Sequence, residues 1–473
     1  MQAPSMIMRA AILTMALGAA AGCGGNGSGG DGSAPTGAPQ STVNFVVSDT
    51  PSTGITVLSF QIQITAAVLQ PGNISILPKP VTVDLAQLVS DTGFLASTVI
   101  DSGTYTSLAL SYANPQVTIQ NDTGSDISLP GGSCAAGATC TFTPALDNAT
   151  LTVSSGIFPL TLTASSSTGL NLDLSIADLL QSDLSIRFAS GSSVNLSLLG
   201  SGPVRIDDVL ATVTSASDTQ IGVTTAFGDS LVLAPGTSSA YDFPSSVCAS
   251  NDVSCVMSGQ AVALDVSLGG DGTLTIDSLS YLGASGTPLV KALVLSAATG
   301  AAPSGQLLLL RGINVSSLTP GQIATVSFAP GASYSVATAS YPSVANARFA
   351  GAGDLLPGQE LIVGVSADLV AGSSPTFTTS AVYLQSSQIV GDVASVDGAS
   401  SEVMIDSLTG LFTASGLHIQ AIDAQTDSGT ELVGFGALSS LAAGQLVVAT
   451  GPLLAVAGST TPAIAAVQIR SLN

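Results

Sequence analysis

The sequence predicts an all-β protein: an N-terminal antiparallel β-sandwich followed by about three small OB-like β-barrel units in tandem. Three observations lead there. First, the 473 residues are 45% hydrophobic but only 8% charged, with three Glu and two Lys. Solvent-facing helices draw on Glu, Lys and Arg, so this Ser-, Thr- and Gly-rich surface suits strands. Second, apolar and polar residues alternate in short runs bounded by Gly, Pro, Asn or Asp, the period of a half-buried strand. Third, a Gly-Gln pair followed by an apolar run occurs at Gly259-Gln260, Gly358-Gln359 and Gly444-Gln445, spaced by 99 and then 86 residues. Recurrence at such spacing marks a repeated unit.

Taken in order, the chain opens with one early cation, Arg9, and a run from Ala10 to Gly22 that is small or apolar except for Thr14. The run is shorter than the about 20 apolar residues of a membrane-spanning helix, and it fits the apolar region of a secretory signal. Its end, Leu17-Gly18-Ala19-Ala20-Ala21-Gly22-Cys23, resembles the lipobox of bacterial lipoproteins. The resemblance implies a signal peptide over residues 1–22, a diacylglycerol on the Cys23 thiol, and acylation of the freed amine. Gly24, rather than Asp, after that cysteine implies the outer membrane. An ordinary secretory signal with Cys23 as a spare thiol is the alternative. Residues 23–41 then read as the lipidated cysteine and a flexible tether, because Gly24 to Ser41 has no apolar period from which to build a core. Such a segment spans about 24 Å root-mean-square.

Without residues 1–22 the chain carries 7 basic and 30 acidic residues, a formal charge of −23. So acidic a surface repels nucleic acid and anionic lipid. Nearly all the acids are Asp, which suits turns; calcium binding in some loops is the rival to simple solvation. Of five cysteines, Cys23 is assigned to lipid, and the rest form two close pairs, Cys134 with Cys140 and Cys248 with Cys255. Local disulfides within each pair are the economical arrangement in an oxidising compartment, although other pairings stay open. Metal binding is disfavoured, since zinc takes four ligands and no His lies near either pair.

Residues 42–202 carry the sandwich pattern. Strands are expected at Thr42 to Ser48, Thr56 to Thr65, Val81 to Leu85, Leu108 to Leu110 and Gln116 to Ile119, with a helical turn within Ile176 to Ser182. Val46-Val47-Ser48-Asp49-Thr50-Pro51, Val81 to Leu88, Asp101 to Leu110 and Leu170 to Leu174 follow one another in an order that resembles a bacterial lipoprotein domain, domain of unknown function 4382. That family has no established activity, so the resemblance implies architecture and location only.

The remainder divides into units at 203–286, 287–386 and 387–473. Each opens with an alternating strand (Val209 to Thr214, Val290 to Ser296, Ile389 to Val396), passes through its Gly-Gln turn, and closes with a strand (273–282, Ala381 to Leu384, 465–472). Glycine permits the positive-φ turn before a strand. Such a unit resembles the tandem β-barrel catalogued as domain of unknown function 5666, and its length suits an OB-like barrel.

No motif announces catalysis. There is no Gly-x-Ser-x-Gly elbow, no Cys–His pairing and no phosphate loop. His418, flanked by apolar residues, reads as a polar strand position. For a paired-carboxylate glycosidase the candidates are Asp207-Asp208 or Asp173 with Asp178, and adjacent Asp residues on a strand point to opposite faces, which argues against the first pair. Gly269-Gly270-Asp271-Gly272-Thr273 reads as a hairpin turn. Aromatics, at 4%, are too few for the girdles of a membrane barrel. The expectation is a non-enzymatic envelope lipoprotein, held to the membrane through Cys23 and without metal or cofactor. It would bind or space a polysaccharide or protein partner and no nucleic acid. A polysaccharide hydrolase and a calcium-stabilised adhesin are the alternatives.

Overall fold

The structure is a computed structural model and describes residues 39–50, 56–88, 93–200, 204–299, 303–315, 318–336, 341–370, 375–413 and 417–472. The signal segment, Cys23 and most of the tether lie outside the described residues. The fold is all-β, a sandwich followed by two closed five-stranded barrels and a third unit, an eight-stranded sheet in which five strands close a ring and Gln468–Ser471, within the expected closing strand, pairs outside it.

The sandwich is built from β1 (Gln40–Thr50), β2 (Thr56–Gln70), β3 (Val81–Asp84), β4 (Gly93–Asp101), β5 (Ser107–Gln120), β6 (Thr139–Phe142), β7 (Thr150–Val153), β8 (Ser167–Ser175) and β9 (Val194–Leu198). One sheet runs β9-β8-β1-β4. The other centres on β2 and β5, with β3 beside β2, and β6 and β7 beside β5. Alternation in β2 turns Phe60, Ile62 and Ile64 to one face, where they meet Phe45, Leu108 and Leu170, all fully buried.

Four details differ from, or refine, the sequence reading. β1 pairs with β8 in parallel, so the sandwich is mixed rather than purely antiparallel. Gln40 and Ser41, assigned to the tether, begin β1; the Ser41 hydroxyl donates to the Ser166 carbonyl at 3.0 Å. The runs Leu108 to Leu110 and Gln116 to Ile119 are one strand, β5. It passes through a bulge where Asn114 takes φ +50° and the register with β2 slips, and a bulge is where a strand tolerates Pro115. The helical turn is there, at Ile176–Leu179.

Barrel 1 comprises Val204–Ala216, Ile221–Thr225, Ser230–Asp242, Ala261–Leu268 and Leu274–Gly283. Barrel 2 comprises Leu289–Thr299, Ser304–Ile313, Ile323–Val336, Glu360–Val370 and Thr376–Leu384. Barrel 3 comprises Ser386–Asp397, Glu402–Asp406, Ile422–Gln425, Leu446–Val456 and Ala463–Ala465. Each closes in the order first, second, third, fifth, fourth and back to first, with third and fifth strands parallel. This is the Greek-key circuit of an OB-like barrel.

The repeat extends to single hydrogen bonds. Gly259, Gly358 and Gly444 take φ of +91°, +84° and +79°, a region where glycine carries no Cβ penalty. Their N–H groups donate to the carbonyls of Val213, Val294 and Val393 at 2.8, 2.9 and 2.8 Å. Those valines' own N–H groups donate to Gln260, Gln359 and Gln445 at 2.9 Å in every case. Each Gln folds its Oε1 back to accept from the N–H three residues earlier, on Met257, Leu356 and Ala442. The side chain thus caps its own turn, and Val256, Leu355 and Leu441 one residue further back are buried in the hydrophobic cores of their units. Past each valine the first strand steps out of register with the second, at Ser215, Ser296 and Ser395.

Barrel 2 is the hub. Leu307 and Leu309 point into its own core, while Leu308 and Leu310 join the core of barrel 3. This is why Leu307-Leu308-Leu309-Leu310 is apolar without alternation: both faces are covered. Leu289, Ile313 and Ile362 pack against Leu210, Ala261 and Ala263 of barrel 1. On the sandwich side, the Thr118 and Thr141 hydroxyls donate to the Gly321 carbonyl at 3.2 and 3.1 Å. Sandwich and barrels form one compact unit from Pro39 onward.

Candidate functional site

Superposing the turns by their hydrogen bonds aligns the repeats residue by residue, and two positions then stand out. Three residues before the repeated valine are Leu210, Lys291 and Val390. Immediately after the repeated Gln are Ala261, Glu360 and Leu446. Only barrel 2 puts charge at these places, and it does so on its outward face. Lys291 Nζ lies 3.1 Å from Glu360 Oε2, with the two side chains 15% and 5% exposed. A second cation, Arg311, sits directly opposite Lys291 across the first and second strands. Like charges so placed repel, so the patch calls for anions.

The sandwich supplies them. Asp84, at the end of β3, is buried, and its carboxylate accepts from the Ser59 hydroxyl (2.5 Å) and the Phe60 N–H (2.8 Å). Burial raises its pKa, and those hydrogen bonds with the nearby Arg311 charge oppose the rise. Burial likewise raises Glu360 against the pull of Lys291. Gln87, in the 3-10 turn after β3, completes the contact. With its amide nitrogen turned toward the carboxylate it donates to Glu360 Oε1 (2.6 Å) and Oε2 (3.1 Å). The Gln87 carbonyl accepts from Gln388 of barrel 3 at 2.7 Å. Arg311 donates from Nη2 to the Thr82 carbonyl at 3.0 Å and lies 4.1 Å over the Phe227 ring of barrel 1. Burial lowers its pKa to about 10, opposed by Asp84, so it stays charged at neutral pH.

A cavity of about 130 Å³ opens where sandwich, barrel 1 and barrel 2 meet around this cluster. Its wall is mainly apolar, with Val81, Val83, Phe94, Leu210 and Leu231, and it carries Asp84, Asp207, Asp229, Lys291 and Arg311. A second cavity of about 380 Å³ lies between sandwich, barrel 2 and barrel 3; Gln87 lines both, and Glu360 lines the second.

The residues singled out from sequence fall as follows. Cys134 and Cys140 are joined at 1.95 Å, as are Cys248 and Cys255 at 2.08 Å; Cys23 is outside the described residues. The second disulfide pins the connector before the barrel 1 turn, where Cys255 enters the core. Asp207 lines the first cavity but pairs with Arg205 at 2.5 Å; the side chain of Asp208 is outside what is described. Asp178 accepts from the Ser175 hydroxyl at 3.0 Å, and neither it nor Asp173 lines the two junction cavities. Residues 269–273 do form the hairpin turn, with Asp271 accepting from the Thr273 N–H at 2.9 Å. His418 is not a strand residue: it lies in an exposed turn at φ +49°, its Nδ1 3.3 Å from the Thr413 carbonyl. Asp84, Gln87, Lys291, Arg311 and Glu360 were missed. Alignment of the repeats on their Gly-Gln pairs would have exposed Lys291 and Glu360.

Compared with known proteins, the chain matches no family model, no curated protein and no solved structure.

Proposed function

We propose that this is an exported, lipid-anchored envelope protein whose folded body binds or spaces and does not catalyse. The observation that carries the reading is the pair of local disulfides. Such bonds persist in oxidising compartments, and they use four of the five cysteines, leaving Cys23 over. A cysteine left at the end of an apolar leader is what lipid transfer modifies. A binding or spacing role is supported by the way sandwich and barrels interlock, with Lys79–Asp229 (2.9 Å), Arg205–Asp207 and Lys291–Glu360 all lying at or near the junctions. An envelope polysaccharide or protein is the partner class this reading favours.

The test is intact-mass spectrometry of the protein extracted from membranes in detergent, with and without reduction. The expected result is a chain beginning at Cys23, carrying acyl mass and gaining four hydrogens on reduction. An unacylated chain recovered from the medium would overturn the anchor.

A further inference from the structure

The connector leading into each Gly-Gln turn ends the same way. A single 3-10 turn, at Val253–Cys255, Ala352–Asp354 and Leu438–Ser440, comes immediately before the buried Val256, Leu355 and Leu441. The last residue of each 3-10 turn stands four positions before the turn glycine, and each is tied down differently. Ser440 donates its hydroxyl to the Ala437 carbonyl at 2.6 Å. Asp354 pairs with Arg348 at 3.0 Å and accepts from the Ala350 N–H at 2.9 Å. Cys255 is bonded to Cys248. Barrels 2 and 3 thus reach the same turn geometry without a covalent tie. Barrel 1 also keeps non-covalent ties of its own: Gln260 donates to the Cys255 carbonyl at 3.1 Å, and Asn251 accepts from the Phe243 N–H at 2.8 Å.

We propose that the Cys248–Cys255 disulfide is a redox-operated latch on the barrel 1 connector, opened by a dithiol reductant while the barrel itself stays closed. Access sets the direction of attack. Cys255 is 1% exposed in the barrel core, whereas Cys248 is half-buried in the stretch 244–252, whose other residues are all exposed. A thiolate of the dithiol attacks Cys248 Sγ, and the electrons of the S–S bond leave with Cys255 Sγ, which takes up a proton. The Ser250 hydroxyl lies 3.2 Å from that sulfur, placed to donate to it as charge develops. The second sulfur of the dithiol then displaces Cys248, which also ends as a thiol, and the dithiol ends as its own disulfide. The other bond is set differently. Cys134 ends the strand Gly132–Cys134, and Cys140 lies in β6 opposite Ile119 of β5. Strands hold both of those sulfurs in place after reduction, which favours re-closure.

The experiment treats the full chain in detergent with dithiothreitol for timed intervals, traps free thiols with iodoacetamide, and reads cysteine labelling and amide hydrogen exchange by mass. Cys248 and Cys255 are expected to open at least about tenfold faster than Cys134 and Cys140, as access dictates. Amides of 243–258 then exchange about tenfold faster or more, while Ala261–Leu268 and the other strands of barrel 1 keep their protection, the pattern of a local opening. Cys248→Ser combined with Cys255→Ser leaves the other disulfide intact; it is expected to fold and to show the same exchange without reductant. The proposal fails if the two bonds open together, if the reduced connector is as protected as the oxidised one, or if protection is lost throughout barrel 1. A double variant that does not fold overturns it as well. The latch is independent of the envelope reading: an unacylated Cys23 leaves it standing, and its failure leaves the lipid anchor standing.

Discussion

Glu360 stands where the flanking barrels carry Ala261 and Leu446, and its partner Lys291 stands where they carry Leu210 and Val390. Removing one member of a buried ion pair costs about 3–5 kcal/mol, because the other charge is left without a counter-charge; replacing both with apolar residues is often neutral or better. Lys291→Leu and Glu360→Ala are therefore each expected to lower stability by about 3 kcal/mol or more. The double variant, which gives barrel 2 the residues of barrel 1, is expected within about 1 kcal/mol of wild type. Urea unfolding of the four proteins measures this, and a double variant as unstable as the singles would contradict it. Each of these charges is visible in the sequence, Lys291 as one polar letter in the apolar run Leu289-Val290-Lys291-Ala292 and Glu360 between the turn's Gln359 and the apolar Leu361-Ile362-Val363. What cannot be read there is that Asp84 and Gln87, more than 200 positions away, face them. Such a site is assembled by domain docking, which leaves no local period.

At the scale of the element, the Gly-Gln turn was legible because its requirement is local: a positive φ, a cap and an apolar strand. The turns do not have equal surroundings. A Cβ on Gly358 would run into the Phe412 ring of barrel 3, whereas one on Gly444 meets open space. Gly444→Ala is expected to cost about 1–2 kcal/mol, the penalty of a left-handed alanine. Gly358→Ala adds overpacking of about 1–3 kcal/mol on top. Chemical denaturation of the two variants should separate them in that order; equal costs would mean the barrel 2–barrel 3 seam yields freely. Other elements were less legible. β5 reads as two strands because Asn114-Pro115 has the composition of a turn, and only the continuous pairing with β2 across the bulge joins them. The Ala234-Pro235-Gly236 and Ala329-Pro330-Gly331 repeats mark where the third strand loses register with the fifth, a feature that reads in sequence only as a turn.

At the scale of the whole molecule, tandem units of the expected number are present, but their interdependence is not a property any one repeat displays. Barrel 2 presents Leu293, Leu295, Leu308 and Leu310 outward to barrel 3. Residues 287–386 produced alone would expose that apolar face, so they are expected to aggregate or stay unfolded. A soluble, cooperatively melting fragment, judged by sedimentation and calorimetry, would refute the hub arrangement. The pairing of the cations has a different consequence. From residue 39 onward there are seven basic residues, and Lys79, Arg187, Arg205, Lys291 and Arg348 each already lie against a carboxylate. Little positive charge is left to offset the remaining acids at the surface. Two copies approaching one another meet a field of one sign, damped only over the about 8 Å screening length of physiological salt. How closely neighbouring copies can crowd is then governed by the electrolyte between them.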